Sequence, residues 1–195
     1  SGGYAVDYSE PIIIKEKGEI KVVKIGELID EIIKNSKNVR KDGILEIARC
    51  KDVEVIAFDS NYKFKFMPVS EVSRHPVSEM FEIVVEGNKK VRVTGSHSVF
   101  TVKDNEVVPI RVDDLRVGDI LVLAKELPNI EENRKLEPNI EENRKLEKLI
   151  NSDFIFLKIK KINKVEPTNG YAYDLTVPNA ENFIAGFGGF VLHNA

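Results

Sequence analysis

Apolar and polar residues alternate along most of this chain, and one stretch breaks that rhythm. In Ile12-Ile13-Ile14 an unbroken apolar run follows Asp7-Tyr8-Ser9-Glu10-Pro11. The run suits a buried strand, and the residues before it suit a turn. Lys17-Gly18 turns the chain, and Glu19 to Lys24 alternates as the strand that closes a hairpin. Ile25, Leu28, Ile29, Ile32 and Ile33 then recur at helical spacing, with Glu27, Asp30, Glu31 and Lys34 opposite. That pattern predicts an amphipathic helix over 25–35, ending near Asn35-Ser36.

From Asp52 onward the period is two. Strands are predicted at Val53–Phe58, Lys63–Phe66, Met80–Glu86, Lys90–Thr94, Val107–Ile110, Ile120–Ala124, Phe154–Lys158, Ile159–Val165 and Tyr171–Val177. Turns fall at Asp59-Ser60-Asn61, Gly87-Asn88, Asp113-Asp114-Leu115 and Thr168-Asn169-Gly170. His75-Pro76 is read as an irregular bend in which proline holds His75 extended, with the imidazole structural or exposed. Pro178 to Asn182 reads as a loop, and Phe183-Ile184-Ala185-Gly186 leads to an apolar terminal run, Phe190-Val191-Leu192. A chain terminus ordinarily frays, but this one has strand propensity and is expected to be pinned into a sheet.

One segment differs in kind. Pro128 to Glu137 is followed by an identical copy, Pro138 to Glu147. A single tandem duplication is too short for a solenoid. Its charge and Pro138 leave no continuous apolar stripe, so 128–147 is read as a flexible, solvated loop insertion between two sheet halves. Natural duplication and engineered extension both remain open.

Composition narrows the class. The 195 residues suit one domain with a real core. A net charge of −3, with 31% charged residues of both signs, offers no basic footprint for nucleic acid. No apolar run reaches the length of a membrane span, and no signal-peptide pattern is present. Cys50 is alone, which leaves neither a disulfide framework nor a cysteine-based zinc site; it is read as a small core residue. Abundant Lys, Glu and Ile with no Trp lean towards a thermophilic source.

Candidate chemistry lies at separated points. His193-Asn194 stands one residue from the end, before Ala195. An asparagine carboxamide nitrogen can attack its own backbone carbonyl, closing a succinimide and cutting the bond that follows. An adjacent imidazole can protonate the departing amine. Thr94-Gly95-Ser96-His97 places a hydroxyl three residues before an imidazole at a strand end. Asp174 lies inside a β run, where a charge is costly unless paired or at an edge. Ala5 begins the ordered part of the chain. Each feature alone also fits a capped turn, a solvated histidine or a chance pair.

Together, Val6 to Ile13, Thr94 to His97, Tyr173 to Val177 with Asn182-Phe183, and Gly189 to Asn194 resemble an intein in order and spacing. The resemblance is to a mini-intein, the self-splicing Hint domain shared with hedgehog autoprocessing domains, and covers 5–194. It implies an all-β, horseshoe-like fold with one short helix near 25–35. The homing-endonuclease insert of larger inteins has no counterpart here. The implied activity is single-turnover autocatalytic splicing of the chain's own flanking sequences. It involves no cofactor, metal, nucleic acid or membrane, and proceeds as a monomer in the cytoplasm within a host protein.

The resemblance also assigns roles. Residues 1–4 would be a remnant of the N-terminal flank, and Tyr4-Ala5 the first junction. Ala5 stands where a Cys or Ser nucleophile belongs, and Ala195 stands where the following Cys, Ser or Thr belongs. Alanine supplies no nucleophile at either place, so the chain reads as a splicing-disabled precursor, open to slow asparagine cyclisation. Thr94 and His97 would hydrogen-bond and protonate the Tyr4-Ala5 amide. Asp174 would manage protons between the junctions, with a carboxyl raised by burial. His193 would assist Asn194. Glu181 occupies a position where many relatives carry histidine, and would accept a proton, orient a water or simply be solvated.

Three rivals are distinguishable. A β-rich scaffold would not ligate its flanks after nucleophiles are restored at 5 and 195. A hedgehog-type domain that hands an ester to an external nucleophile has no need of the terminal His-Asn pair. A nucleic-acid enzyme would not carry this acidic balance.

Overall fold

The computed structural model describes residues 5–125, 141–186 and 188–193. Ser1 to Tyr4, the first repeat with the start of the second, Asn194 and Ala195 lie outside the described residues. The chain opens with a two-residue strand, β1 (Val6–Asp7). The hairpin β2 (Pro11–Glu16) and β3 (Glu19–Lys24) follows, then helix α1 (Ile25–Asn35). Next come β4 (Arg40–Asp42), β5 (Leu45–Arg49), β6 (Val53–Phe58), β7 (Phe64–Pro68), β8 (Glu71–Pro76), β9 (Met80–Val85) and β10 (Lys90–Val93). The second half runs β11 (Ser98–Lys103), β12 (Glu106–Arg111), β13 (Ile120–Ala124), helix α2 (Glu141–Ile150) and β14 (Phe154–Val165). It ends with β15 (Tyr171–Thr176), β16 (Asn182–Ala185) and β17 (Phe190–His193).

The fold is all-β, and the long strand β14 joins its two sheets. The first half of β14 pairs with β13 and the second half with β9, with a register irregularity between Ile159 and Lys161. One continuous strand therefore stands where two were expected. One sheet carries β1 between β10 and β15, with β8 beyond β15. The other carries β17 against β11, β13 and β16.

The main core gathers residues such as Ile12, Ile29, Ile83, Val93, Tyr173, Phe183 and Leu192 from both sheets and α1. Fully burying each large side chain contributes roughly 1.5–3 kcal/mol. A second, aromatic cluster places Phe58 edge-on to Tyr62, Phe100 and Phe154. Helix α1 buries Ile25, Ile29 and Ile33, as its periodicity requires. It has no side-chain N-cap. Instead its first amides, Ile25 N and Gly26 N, donate to Glu10 O and Tyr8 O. The segment after β1 thus caps the helix, satisfying donors that every helix leaves open.

Several expectations change. The β4–β5 hairpin and β11 are not predicted by alternation. β4 is Arg-Lys-Asp, exposed throughout and free of any apolar rhythm. β11 buries three successive residues, so it shows no period of two. His75 sits within β8 and is only 4% exposed, so it belongs to a regular strand and not to a bend. The insertion is not loop throughout: α2 is a second helix that crosses the end of the repeat and sends Leu149 into the aromatic cluster. Repeat residues before 141 lie outside the described residues.

Candidate splicing site

The first described residue is held through its backbone. Ala5 is fully buried beside Met80 and Ala172. Its amide nitrogen donates to Thr94 Oγ1 at 3.2 Å, and the same hydroxyl lies 3.2 Å from Ala5 O, to which it can donate. Thr94 N also donates to Ala5 O at 2.9 Å. In register, Val6 faces Val93 on one side and Tyr173 on the other. Continuing the antiparallel pairing by one residue sets Ala5 between Thr94 and Asp174. Their side chains share a face, because partners across a ladder do so.

The Thr94–His97 turn is built by its neighbours. His97 N donates to Thr94 O at 3.1 Å, Val112 N to His97 O at 2.9 Å, and Asp113 N to Gly95 O at 2.8 Å. A Cβ at Gly95 would lie 2.1 Å from Asp113 Oδ1 and 2.9 Å from the Phe81 ring, so a larger residue there requires those side chains to shift. His97 is fully buried, and neither ring nitrogen has a hydrogen-bond partner among the described residues. Burial, reinforced by the nearby His193, pushes its imidazole down to about 3, so it rests neutral. The partner of Ala5 N is Thr94, and His97 closes the same turn through its backbone amide.

Asp174 stands in β15 opposite Ser73 of β8, and its Oδ1 accepts from Leu175 N at 2.8 Å. Its side chain keeps some solvent contact, yet protein atoms surround it closely enough that burial raises the carboxyl well above the usual range. No ion pair offsets that burial among the described residues.

At the other end, β17 brings His193 opposite Ser98 and Asn182. The imidazole packs edge-on to Phe100, with ring centres 5.6 Å apart. It is half-buried and lowered by burial, while the Glu181 carboxylate opposes that shift. Glu181 is exposed and adopts φ 55°, a left-handed conformation that turns the chain into β16. Both ends of the domain thus close on one short stretch: Ala5 on Thr94, and His193 on Ser98. Asn194 and Ala195 lie outside the described residues. No cluster of metal-ligating side chains occurs among the described residues.

The intein splicing domain family matches residues 12–194. The chain belongs to the intein splicing family. Autocatalytic protein splicing is the activity of this domain type. Among solved structures, the transcription factor IIB Mvu mini-intein is 92% identical, covers 98% of this chain and 100% of its own, and superposes with a TM-score of 0.88. The corresponding Mja mini-intein is 82% identical with a TM-score of 0.73, covering 98% of this chain and 100% of its own. The TvoVMA intein, at 24% identity and a TM-score of 0.76 with full coverage of both chains, shares the fold.

A curated relative, transcription initiation factor IIB of Methanocaldococcus jannaschii, is 48% identical over 346 aligned positions. The match takes in 98% of this intein and 50% of the relative, so the chain spans about half the length of that protein. The aligned length exceeds the 195 residues of this chain, so the relative carries further residues inside the matched region. DNA polymerase of Thermococcus kodakarensis matches 63% of the intein at 30% identity, across 8% of its own length.

Several residues that build the site are not singled out by sequence reasoning. Asp7 and Thr168 bond to one another across the fold. Gly26 meets the Tyr8 ring, and Asn182 brackets Phe58 with bonds to both its N and its O. The Asp-x-Ser turn pattern is the one local signal that touches Asp7; the others depend on distant partners.

Proposed function

We propose that this intein is a precursor held before the first chemical step, with Tyr4-Ala5 and Asn194-Ala195 as its two junctions. With a Cys or Ser at position 5, the side chain would attack the Tyr4 carbonyl carbon while the C–N bond breaks and the proton passes to Ala5 N. Thr94 bonds to that nitrogen, and neutral His97 in the same turn would take the nucleophile's proton and pass it to the leaving amine. Asp174, its carboxyl raised by burial and set across from Ala5, would manage the protons of the two nucleophiles.

At the far junction, Asn194 Nδ2 would attack its own carbonyl carbon, forming succinimide and releasing Ala195 with His193 protonating its amine. This step needs no residue that alanine has replaced, so slow C-terminal cleavage is expected. Glu181 would support His193 by charge and not by contact. The host is a transcription factor IIB-like protein, and the domain works in the compartment of that host. No helix of the described residues is long and apolar enough to cross a membrane.

The observation that carries this reading is the shared stretch Thr94–Ser98, onto which both ends close. The test restores Ala5→Cys and Ala195→Thr between two flanking peptides and weighs the products by mass spectrometry. Ligated flanks with a free intein support it; a chain that stays intact overturns it.

A further inference from the structure

β1 is only two residues long, and three register pairs hold it. That is little for a strand that must keep the junction nitrogen on Thr94 Oγ1. Asp7 supplies the rest. It is fully buried, and its carboxylate accepts four hydrogen bonds: Ser9 N at 3.2 Å, Ser9 Oγ at 2.5 Å, Thr168 N at 2.8 Å and Thr168 Oγ1 at 2.5 Å. No cation pairs with it among the described residues. Removing a carboxylate from water costs several kcal/mol, which makes an unpaired buried one an expensive fold element. Here burial alone would raise the carboxyl, yet the four donors outweigh it and hold the group ionised.

The location gives the cost a purpose. Asp7 shares a strand face with Ala5, two residues away. Thr168 lies in the loop between β14 and β15, and β15 carries Asp174. Ser9 lies in the turn whose flanking carbonyls cap α1. One carboxylate therefore gathers the junction strand, the Asp174 strand and the turn that caps the helix.

We propose that Asp7 is a positioning residue for the N-terminal step: its clasp on Ser9 and Thr168 keeps Ala5 in register between Thr94 and Asp174. The inference rests on the reading that Tyr4-Ala5 is the scissile junction. It assigns to Asp7 no contact with the reacting atoms. Its effect is on geometry, where a displacement of about 1 Å can cost on the order of 100-fold in rate.

The experiment uses the full chain with Ala5→Cys, Asn194 and Ala195 kept, and a peptide on each flank. Hydroxylamine cleavage at position 5 reads thioester formation, and release of the C-terminal peptide reads asparagine cyclisation. Thr168→Val, which removes the hydroxyl at constant size, is expected to slow the N-terminal step about tenfold to 100-fold and to leave C-terminal release within about twofold. Thr168→Ser is expected to restore the rate. Asp7→Asn is expected to act in the same direction and more strongly; if it does not fold, the threonine pair still decides. Equal slowing of both steps by Thr168→Val, or none, overturns the inference while leaving the junction reading intact. An Ala5→Cys parent inert to hydroxylamine overturns the junction reading and the inference with it.

Discussion

The two ends of this intein meet at one turn but are held by different means. The N-terminal end is dry and over-bonded: Ala5 and Asp7 are fully buried, Thr94 binds both backbone groups of Ala5, and Asp7 clasps a distant loop. The C-terminal end is a strand terminus with a half-buried histidine leaning on Phe100. The contrast fits the chemistry proposed for each end. Attack on the first junction depends on placing one amide against fixed groups, which rewards rigidity. Asparagine cyclisation needs an imidazole that can take up and give back a proton, which rewards access to water. His97 and His193 divide along the same line, one driven strongly neutral by burial and the other only modestly lowered.

The sharpest way to break this comparison is to remove each histidine in turn. In the Ala5→Cys background, His97→Ala should slow hydroxylamine-trapped cleavage by about 10²–10⁴-fold and spare release of the C-terminal peptide. His193→Ala should do the reverse. If either substitution slows both steps alike, the two ends form one catalytic unit and the division is wrong.

Next in size is Asn182, which anchors β16 beneath His193. Its Oδ1 accepts from Phe58 N at 2.8 Å, and its Nδ2 donates to Phe58 O at 3.1 Å and Ala180 O at 2.9 Å. Asn182→Ala leaves buried backbone groups unpaired and should cost roughly 2–4 kcal/mol in denaturant unfolding. C-terminal release should suffer more than the N-terminal step.

Gly26→Ala tests the other end. An alanine in a helix ordinarily gains about 1 kcal/mol over glycine. Here the added Cβ would sit 2.0 Å from the Tyr8 ring and 2.7 Å from Tyr8 Cα. A net loss of about 1–3 kcal/mol is expected instead, with slower N-terminal cleavage. A stabilised variant would show that the N-terminal segment yields more easily than its contacts suggest.

The smallest effect concerns pH. Glu10 is buried, one carboxylate oxygen accepts from Arg92 N at 2.8 Å, and the other has no partner among the described residues. Burial pushes its carboxyl up from 4.5 to about 7. A raised acid binds its proton more tightly when folded, so the stability it contributes is present below pH 4.5 and lost as pH rises through about 7. Glu10→Gln should raise the melting temperature at pH 8 and change little at pH 4.5. Buried His97 has the opposite sign: its folded value is lowered, so stability falls as pH drops from 6.5 towards 3. A wild-type maximum between these limits that moves upward in Glu10→Gln would separate the two.

Much of the fold was legible in the chain. The α1 periodicity, the β2–β3 hairpin, most strands of the second half and the sheet-bound terminal strand follow from local pattern. What escaped did so for identifiable reasons. The charged strand β4 and the wholly buried start of β11 lack alternation, and α2 draws on residues beyond the repeat to complete its apolar face. Among site residues, Thr94, His97, Asp174 and His193 were visible as residue types in a known order. Gly26 and Thr168 were not, and Asp7 and Asn182 stood in the matching motifs without a role, because each acts through a partner distant in sequence.

By itself the sequence determined helix α1, most of the strands, the alanines at positions 5 and 195, and a resemblance to inteins that the family match bears out. Only the tertiary structure decided that Thr94, and not His97, holds Ala5 N, that burial raises the Asp174 carboxyl, and that an ionised Asp7 ties the junction strand to the strand bearing Asp174. The reason is physical. Periodicity records which face of an element meets the core, whereas hydrogen-bond partners and ionisation depend on burial and on neighbours that only the folded chain brings within reach.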